Sequence, residues 1–118
     1  MNDAIKNFAD EAARVERERQ RLAADSNRSS SSEARLHRLN DALMNAERAF
    51  IDDRGLIGRP WYKHQIYAPG TFTGYAAQPL TDFRQAIDDR NTTNLKDGLA
   101  RVVAAIDRAT EVLKTGRE

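Results

Sequence analysis

From Asp52 to Pro79 the chain drops the three-and-four spacing of apolar residues that governs both of its flanks. This interruption limits the possible folds more than any other feature. The stretch holds all three prolines (Pro60, Pro69, Pro79), the only tryptophan (Trp61), all three tyrosines (Tyr62, Tyr67, Tyr75), and Gly55, Gly58, Gly70 and Gly74. Proline removes an amide donor and ends helices. Structureless connections longer than about 12–15 residues are uncommon in compact domains and are usually functional or disordered. A segment so rich in aromatics lacks the composition of a disordered one. An ordered excursion set between helices is therefore expected.

The flanks read as helices. The first, from about residue 2 to 24, carries Ile5, Phe8, Ala9, Ala12, Val15 and Leu22 on one stripe. Arg19 interrupts that stripe, so the far end is expected to project beyond its neighbours or to cover a partner with arginine stems. After the polar run 25–32, Ser30 followed by Glu33 fits a capping box. A second helix, about 32–51, presents Leu36, Leu39, Leu43, Ala46 and Phe50, broadened by Met44. A short third helix, about 80–89, is expected to be capped by Thr81 or Asp82 and to bury Leu80, Phe83, Ala86 and Ile87. Residues 91–94 (Asn-Thr-Thr-Asn) form another cap. The last helix, about 95–115, shows Leu95, Leu99, Val102, Val103, Ile106 and Leu113. Gly98 costs that helix roughly 1 kcal/mol relative to alanine, which implies close packing there, and Gly116 ends it. The expected fold is all-α: one domain over 1–118, a four-helix antiparallel bundle with a long ordered loop, 52–79, between helices two and three.

Composition supports amphipathic helices: 40% of residues are hydrophobic and 31% charged. Nineteen basic residues stand against eighteen acidic ones, a net charge of +1. Arg14-Val15-Glu16-Arg17-Glu18-Arg19 typifies the interleaving, which reads as a solvated face and gives no nucleic-acid patch. The absence of cysteine removes disulfides and thiolate metal sites and leaves the compartment undecided. No apolar run approaches the roughly 18 residues needed to cross a membrane, so direct membrane insertion is not expected.

Complete catalytic motifs are lacking: there is no HExxH, no Gly-rich phosphate loop and no GxSxG. His37 has Glu33 and Asp41 four residues away on either side, a spacing that could touch a metal but is far more often simple surface pairing. His64 lacks a visible catalytic partner and is expected to hydrogen-bond loop backbone. Asp52-Asp53 and Asp88-Asp89 adjoin Arg54 and Arg90 and read as solvated helix ends rather than a buried acid pair.

Three blocks in order make the sequence recognisable: Glu47-Arg48-Ala49-Phe50-Ile51-Asp52, then Arg59-Pro60-Trp61-Tyr62-Lys63-His64, then Ile66-Tyr67-Ala68-Pro69, followed by Tyr75-Ala76. They resemble the C-terminal transferrin receptor-like dimerisation domain of the glutamate carboxypeptidase II and transferrin receptor family, and weaker similarity spans nearly the whole chain. The resemblance implies a four-helix bundle that follows a protease-like domain, packs on it and helps form a homodimer. Active members are zinc-dependent exopeptidases that release C-terminal residues, often glutamate. Their two zinc ions and catalytic groups lie in the protease-like domain, so this chain is expected to carry no cofactor and no catalytic residue. The resemblance also places the parent outside the cytoplasm or on a membrane anchor.

In that family a Lys-Tyr pair on the loop senses the glutarate part of the substrate. Aligned from Ile66-Tyr67-Ala68-Pro69, Tyr75 matches the tyrosine, and Gly74 stands where the lysine would be. Tyr75 is thus a substrate-binding candidate, set against an ordinary loop aromatic packed on the bundle. Arg59, Trp61, Tyr62, His64 and Tyr67 are expected to anchor the loop or an interface, with Arg59 in an ion pair. Three functions remain open: a non-catalytic domain of a zinc peptidase, the same domain in a transferrin receptor-like receptor or scaffold, and a free-standing helical adaptor. The first reading makes the chain a piece of a larger protein.

Overall fold

A computed structural model describes every residue except Arg28 and Thr73. Four helices dominate: α1 (Asn2–Ala24), α2 (Ser30–Arg48), α3 (Thr81–Asp88) and α4 (Thr92–Thr115). Between α2 and α3 lies a small antiparallel sheet of two strands, β1 (Tyr67–Pro69) and β2 (Ala77–Pro79), in the register Tyr67↔Pro79, Ala68↔Gln78 and Pro69↔Ala77. The chain is mostly α, as its spacing predicts. The strands are too short for an alternating pattern to show them, and each ends in a proline.

The chain divides into two compact units, one of Met1–Ala49 with Ile106–Glu118 and the other of Phe50–Ala105. In the first, α1 packs against α2. Val15, Leu22, Leu39, Ala42, Ala46, Ile106, Ala109 and Leu113 are buried. Small residues at Ala42, Ala46 and Ala109 leave room for close approach of helices, and Gly116 uses that room fully. A Cβ on Gly116 would lie 2.3 Å from the Ala42 Cβ.

The α1 stripe is rotated from its expected position. Its buried residues are Ala4, Glu11, Val15 and Leu22, whereas Ile5 and Ala9 are exposed. Glu11 enters the interior because Arg117, far away in sequence, donates to it at 2.5 Å, with Arg14 at 3.3 Å. Nor does the end of α1 project free. Leu22 is buried, and Glu18 takes the intervening turn by pairing with Arg35 of α2, while Arg19 turns back to Glu16.

Cap assignments also shift. The α2 cap is Ser29, whose Oγ accepts from the Ser32 amide at 3.2 Å, in place of the Ser30–Glu33 box. Met44 is exposed and does not widen the α2 core face. Asn91 caps α4 by accepting from the Asn94 amide at 3.0 Å.

The second unit is built on turns. Ile51 bridges His64, and Leu56 bridges Arg59. Gly55 has φ +69, and a Cβ there would fall 2.3 Å from the Pro60 carbonyl oxygen, so only glycine fits without displacement. The Gly55 carbonyl accepts from Arg101 Nη1 at 2.8 Å and from Gln65 Nε2 at 3.4 Å. Arg101 thereby ties α4 to the turn, although its Nε is buried without a hydrogen-bond partner among the described residues. Gly98 of α4 faces Asp82 of α3, where a Cβ would be 3.4 Å from the Asp82 Cβ. Asp52, read from sequence as solvated, is buried and clasped by Arg54 through Nε at 3.0 Å and Nη2 at 2.7 Å.

Candidate functional site

The α3 start and the hairpin base form one hydrogen-bonded knot. Thr81 Oγ1 lies 2.9 Å from both the Ala68 and Gln78 carbonyl oxygens and shares its one proton between the two strands. Leu80 adopts φ 52, and its amide donates to the Ile66 carbonyl at 2.7 Å. Asp82 accepts from the Ile57 amide at 2.9 Å. Thr81 and Asp82 are therefore buried tie points, and neither caps α3, whose first turn follows Leu80 without a side-chain cap. Ile87, expected inside, is exposed. Burial raises the Asp82 carboxyl above its usual range, opposed first by the Ile57 amide and then by Arg101 and Arg59.

A second set of contacts sits beside the knot. His64 Nδ1 accepts from the Ile66 and Tyr67 amides at 3.2 and 3.1 Å, which places the proton of the neutral ring on Nε2. Its ring lies 5.9 Å from Phe50 and 6.2 Å from Tyr67, centroid to centroid. Arg59 donates from Nη1 to the Pro69 carbonyl at 2.6 Å and stands 5.4 Å over the Tyr62 ring. A carbonyl and an aromatic face thus hold Arg59. Trp61 lies 6.1 Å from Tyr62, yet about two thirds of its surface is open. Tyr67 is exposed as well.

Phe72, Gly74 and Tyr75 of the hairpin connection, 70–76, are exposed. Phe72 and Tyr75 are 86% and 103% exposed, so Tyr75 is not packed against the described residues. Gly74 adopts φ +62 with open space around it. The structure brings Arg59, Tyr62, His64 and Tyr67 to the hairpin base and leaves Tyr75 at the tip. Sequence alone marks Thr81 only as a cap and does not mark Gln65; Thr81 holds the hairpin base and Gln65 the Gly55 turn through carbonyls that no side-chain pattern reveals.

Among the described residues, no three His, Cys, Asp or Glu side chains are grouped to hold a metal ion. No helix among them is long and apolar enough to cross a membrane.

Comparison with known proteins is consistent with this architecture. The family model described as "Transferrin receptor-like dimerisation domain" matches residues 1–114. A "Probable glutamate carboxypeptidase" of Arabidopsis thaliana is 40% identical over 87 residues, covering 68% of this chain and 13% of that protein. One from Zea mays is 28% identical over 121 residues, covering 97% and 17%. An "Inactive zinc metalloprotease" of Schizosaccharomyces pombe is 33% identical over 70 residues, covering 59% and 9%. The chain thus spans less than a fifth of the length of each of these relatives. With a family match over almost its full length, the chain belongs to the transferrin receptor-like dimerisation domain family.

Proposed function

We propose that this chain is the non-catalytic helical domain of a glutamate carboxypeptidase-like zinc metallopeptidase, that it packs on the protease-like domain, and that it lends the 70–76 connection to the substrate site as part of a homodimer. The observation that carries this reading is the contrast within the hairpin. Its base is tied by Thr81, Leu80, His64 and Arg59, while the Phe72 and Tyr75 side chains are largely and fully exposed. Rigid support beneath an exposed tyrosine suits a side chain that meets a ligand or a neighbouring domain. In this reading, zinc would be held by the protease-like domain, as the resemblance implies. The chain's own contribution is a phenol hydroxyl held at fixed height.

The residue before that phenol bears on specificity. Gly74 supplies no cation, so the parent enzyme either has no strict preference for C-terminal glutamate or draws the point charge from elsewhere. In the full-length protein, Tyr75→Phe is expected to raise KM for dipeptides ending in glutamate with little change for those ending in leucine. Gly74→Lys is expected to improve kcat/KM for the glutamate substrate selectively, by roughly tenfold for one charge-assisted contact. The left-handed backbone at position 74 costs the lysine only about 1 kcal/mol. If neither variant alters the ratio of the two substrates, the loop does not reach the substrate.

The relative named as inactive keeps a second reading in view, the same domain in a non-catalytic receptor or scaffold. Zinc-dependent hydrolysis by the full-length protein separates the two.

A further inference from the structure

Along α1, arginines and carboxylates alternate in sequence, and some pair across a turn, Arg14 with Glu11 and Arg19 with Glu16. Arg14, Arg17 and Arg21 are spaced by three and four residues and so share one face. Arg21 lines a groove of about 630 Å³ with Arg35 and Arg38 of α2 and the serines Ser31 and Ser32. It also lines an adjoining groove of about 320 Å³ with Arg14, Arg17 and Arg117. All of these residues belong to the unit Met1–Ala49 with Ile106–Glu118.

The carboxylates in these walls are Asp25 and Glu18, and both are engaged. Asp25 accepts from the Asn27 amide at 2.9 Å, and Glu18 accepts from Arg35 Nε. The Arg17, Arg21 and Arg38 side chains are exposed and make no ion pair or hydrogen bond among the described residues. A chain of net charge +1 therefore gathers six guanidinium groups around two hollows that share Arg21, three of them held by Glu11 or Glu18 and three uncommitted. Apolar lining of the larger groove is confined to Leu22, which argues against an aliphatic ligand. Planar guanidinium forks match phosphate oxygens, and several converging on one hollow outweigh the side-chain entropy of holding them there.

We propose that these grooves bind a ligand carrying two closely spaced phosphate groups, one in each groove, with Arg21 between them. The same chemistry is offered by a soluble diphosphate and by a phospholipid headgroup bearing phosphomonoesters.

Isothermal titration of the protein with inorganic pyrophosphate at about 0.15 M salt tests this, since that ionic strength screens diffuse attraction. Saturable binding is expected, weakened at least roughly tenfold by Arg21→Gln combined with Arg38→Gln. The charge-matched pair Arg84→Gln with Lys96→Gln, both exposed and remote in sequence, is expected to leave the affinity unchanged. Vesicles of phosphatidylcholine containing a minor fraction of phosphatidylinositol bisphosphate identify the source. Vesicle binding competed by pyrophosphate assigns a headgroup, and pyrophosphate binding without vesicle binding assigns a soluble ligand. The absence of saturable binding to both probes, equal loss in the two variant pairs, or binding to duplex DNA alone would each overturn the proposal.

Discussion

At Asp82 a buried carboxylate accepts a single backbone hydrogen bond from Ile57 and pays for its charge with a raised pKa. The sign of the pH effect follows from that direction. The folded state binds the proton more tightly than the unfolded state, whose value stays near the ordinary 3.8. This group's stabilising contribution is therefore fully present below that value and is lost as pH rises through the higher folded value. Asp82→Asn keeps an oxygen acceptor for Ile57 and removes the ionisation. Urea unfolding is expected to show the variant at least as stable as the parent at about pH 7, with the parent gaining on it as pH falls toward about 4. A parent that loses ground to the variant on acidification would contradict the burial argument. His64 offers a separate test. Its Nδ1 is the acceptor for two partly exposed amides, so His64→Ala is expected to cost about 1 kcal/mol in the same assay, water replacing part of what is lost.

Among the elements, the turn at Gly55 is the least forgiving. Both Gly55 and Gly58 have positive φ, +69 and +72, but a Cβ on Gly58 meets nothing within 4 Å, whereas one on Gly55 meets the Pro60 backbone. Gly58→Ala is expected to cost about 1 kcal/mol, the left-handed penalty alone. Gly55→Ala adds a backbone clash and the displacement of a carbonyl that Arg101 and Gln65 share, and is expected to cost more than about 2 kcal/mol. Thermal unfolding followed by circular dichroism compares the two directly, and equal costs would show that the turn relaxes freely. The same elements show what the sequence could and could not reveal. Apolar spacing locates α1, α2 and α4, because a long amphipathic helix repeats its signal over several turns. It misses β1 and β2, since three residues each are too few for alternation, and it turns the α1 stripe toward Ile5 because nothing near Glu11 announces Arg117. Tyr75 was legible as a candidate only through the motif blocks before it. That it is exposed depends on carbonyl ties at Ala68 and Gln78, which any residue types could offer.

For the whole molecule, the proposed homodimer predicts a sedimentation mass near twice 13.3 kDa at micromolar concentration. A mass that stays at the single-chain value across a wide dilution series would count against self-association by this chain. The division of the chain also bears on how it comes into being. One compact unit is contiguous, Phe50–Ala105, whereas the other joins Met1–Ala49 to Ile106–Glu118. During synthesis the contiguous unit has all its residues available first. The split unit must wait for the end of α4 and the two residues after it, Gly116, which seats against Ala42, and Arg117, which reaches Glu11. Until those residues leave the ribosome, Glu11 faces an interior without its distant cation, and the loop that must close spans most of the chain. Within this domain, α1 is thus completed by residues about a hundred positions downstream, and a ribosome stalled between the two would hold a domain whose contiguous unit can form while its split unit cannot.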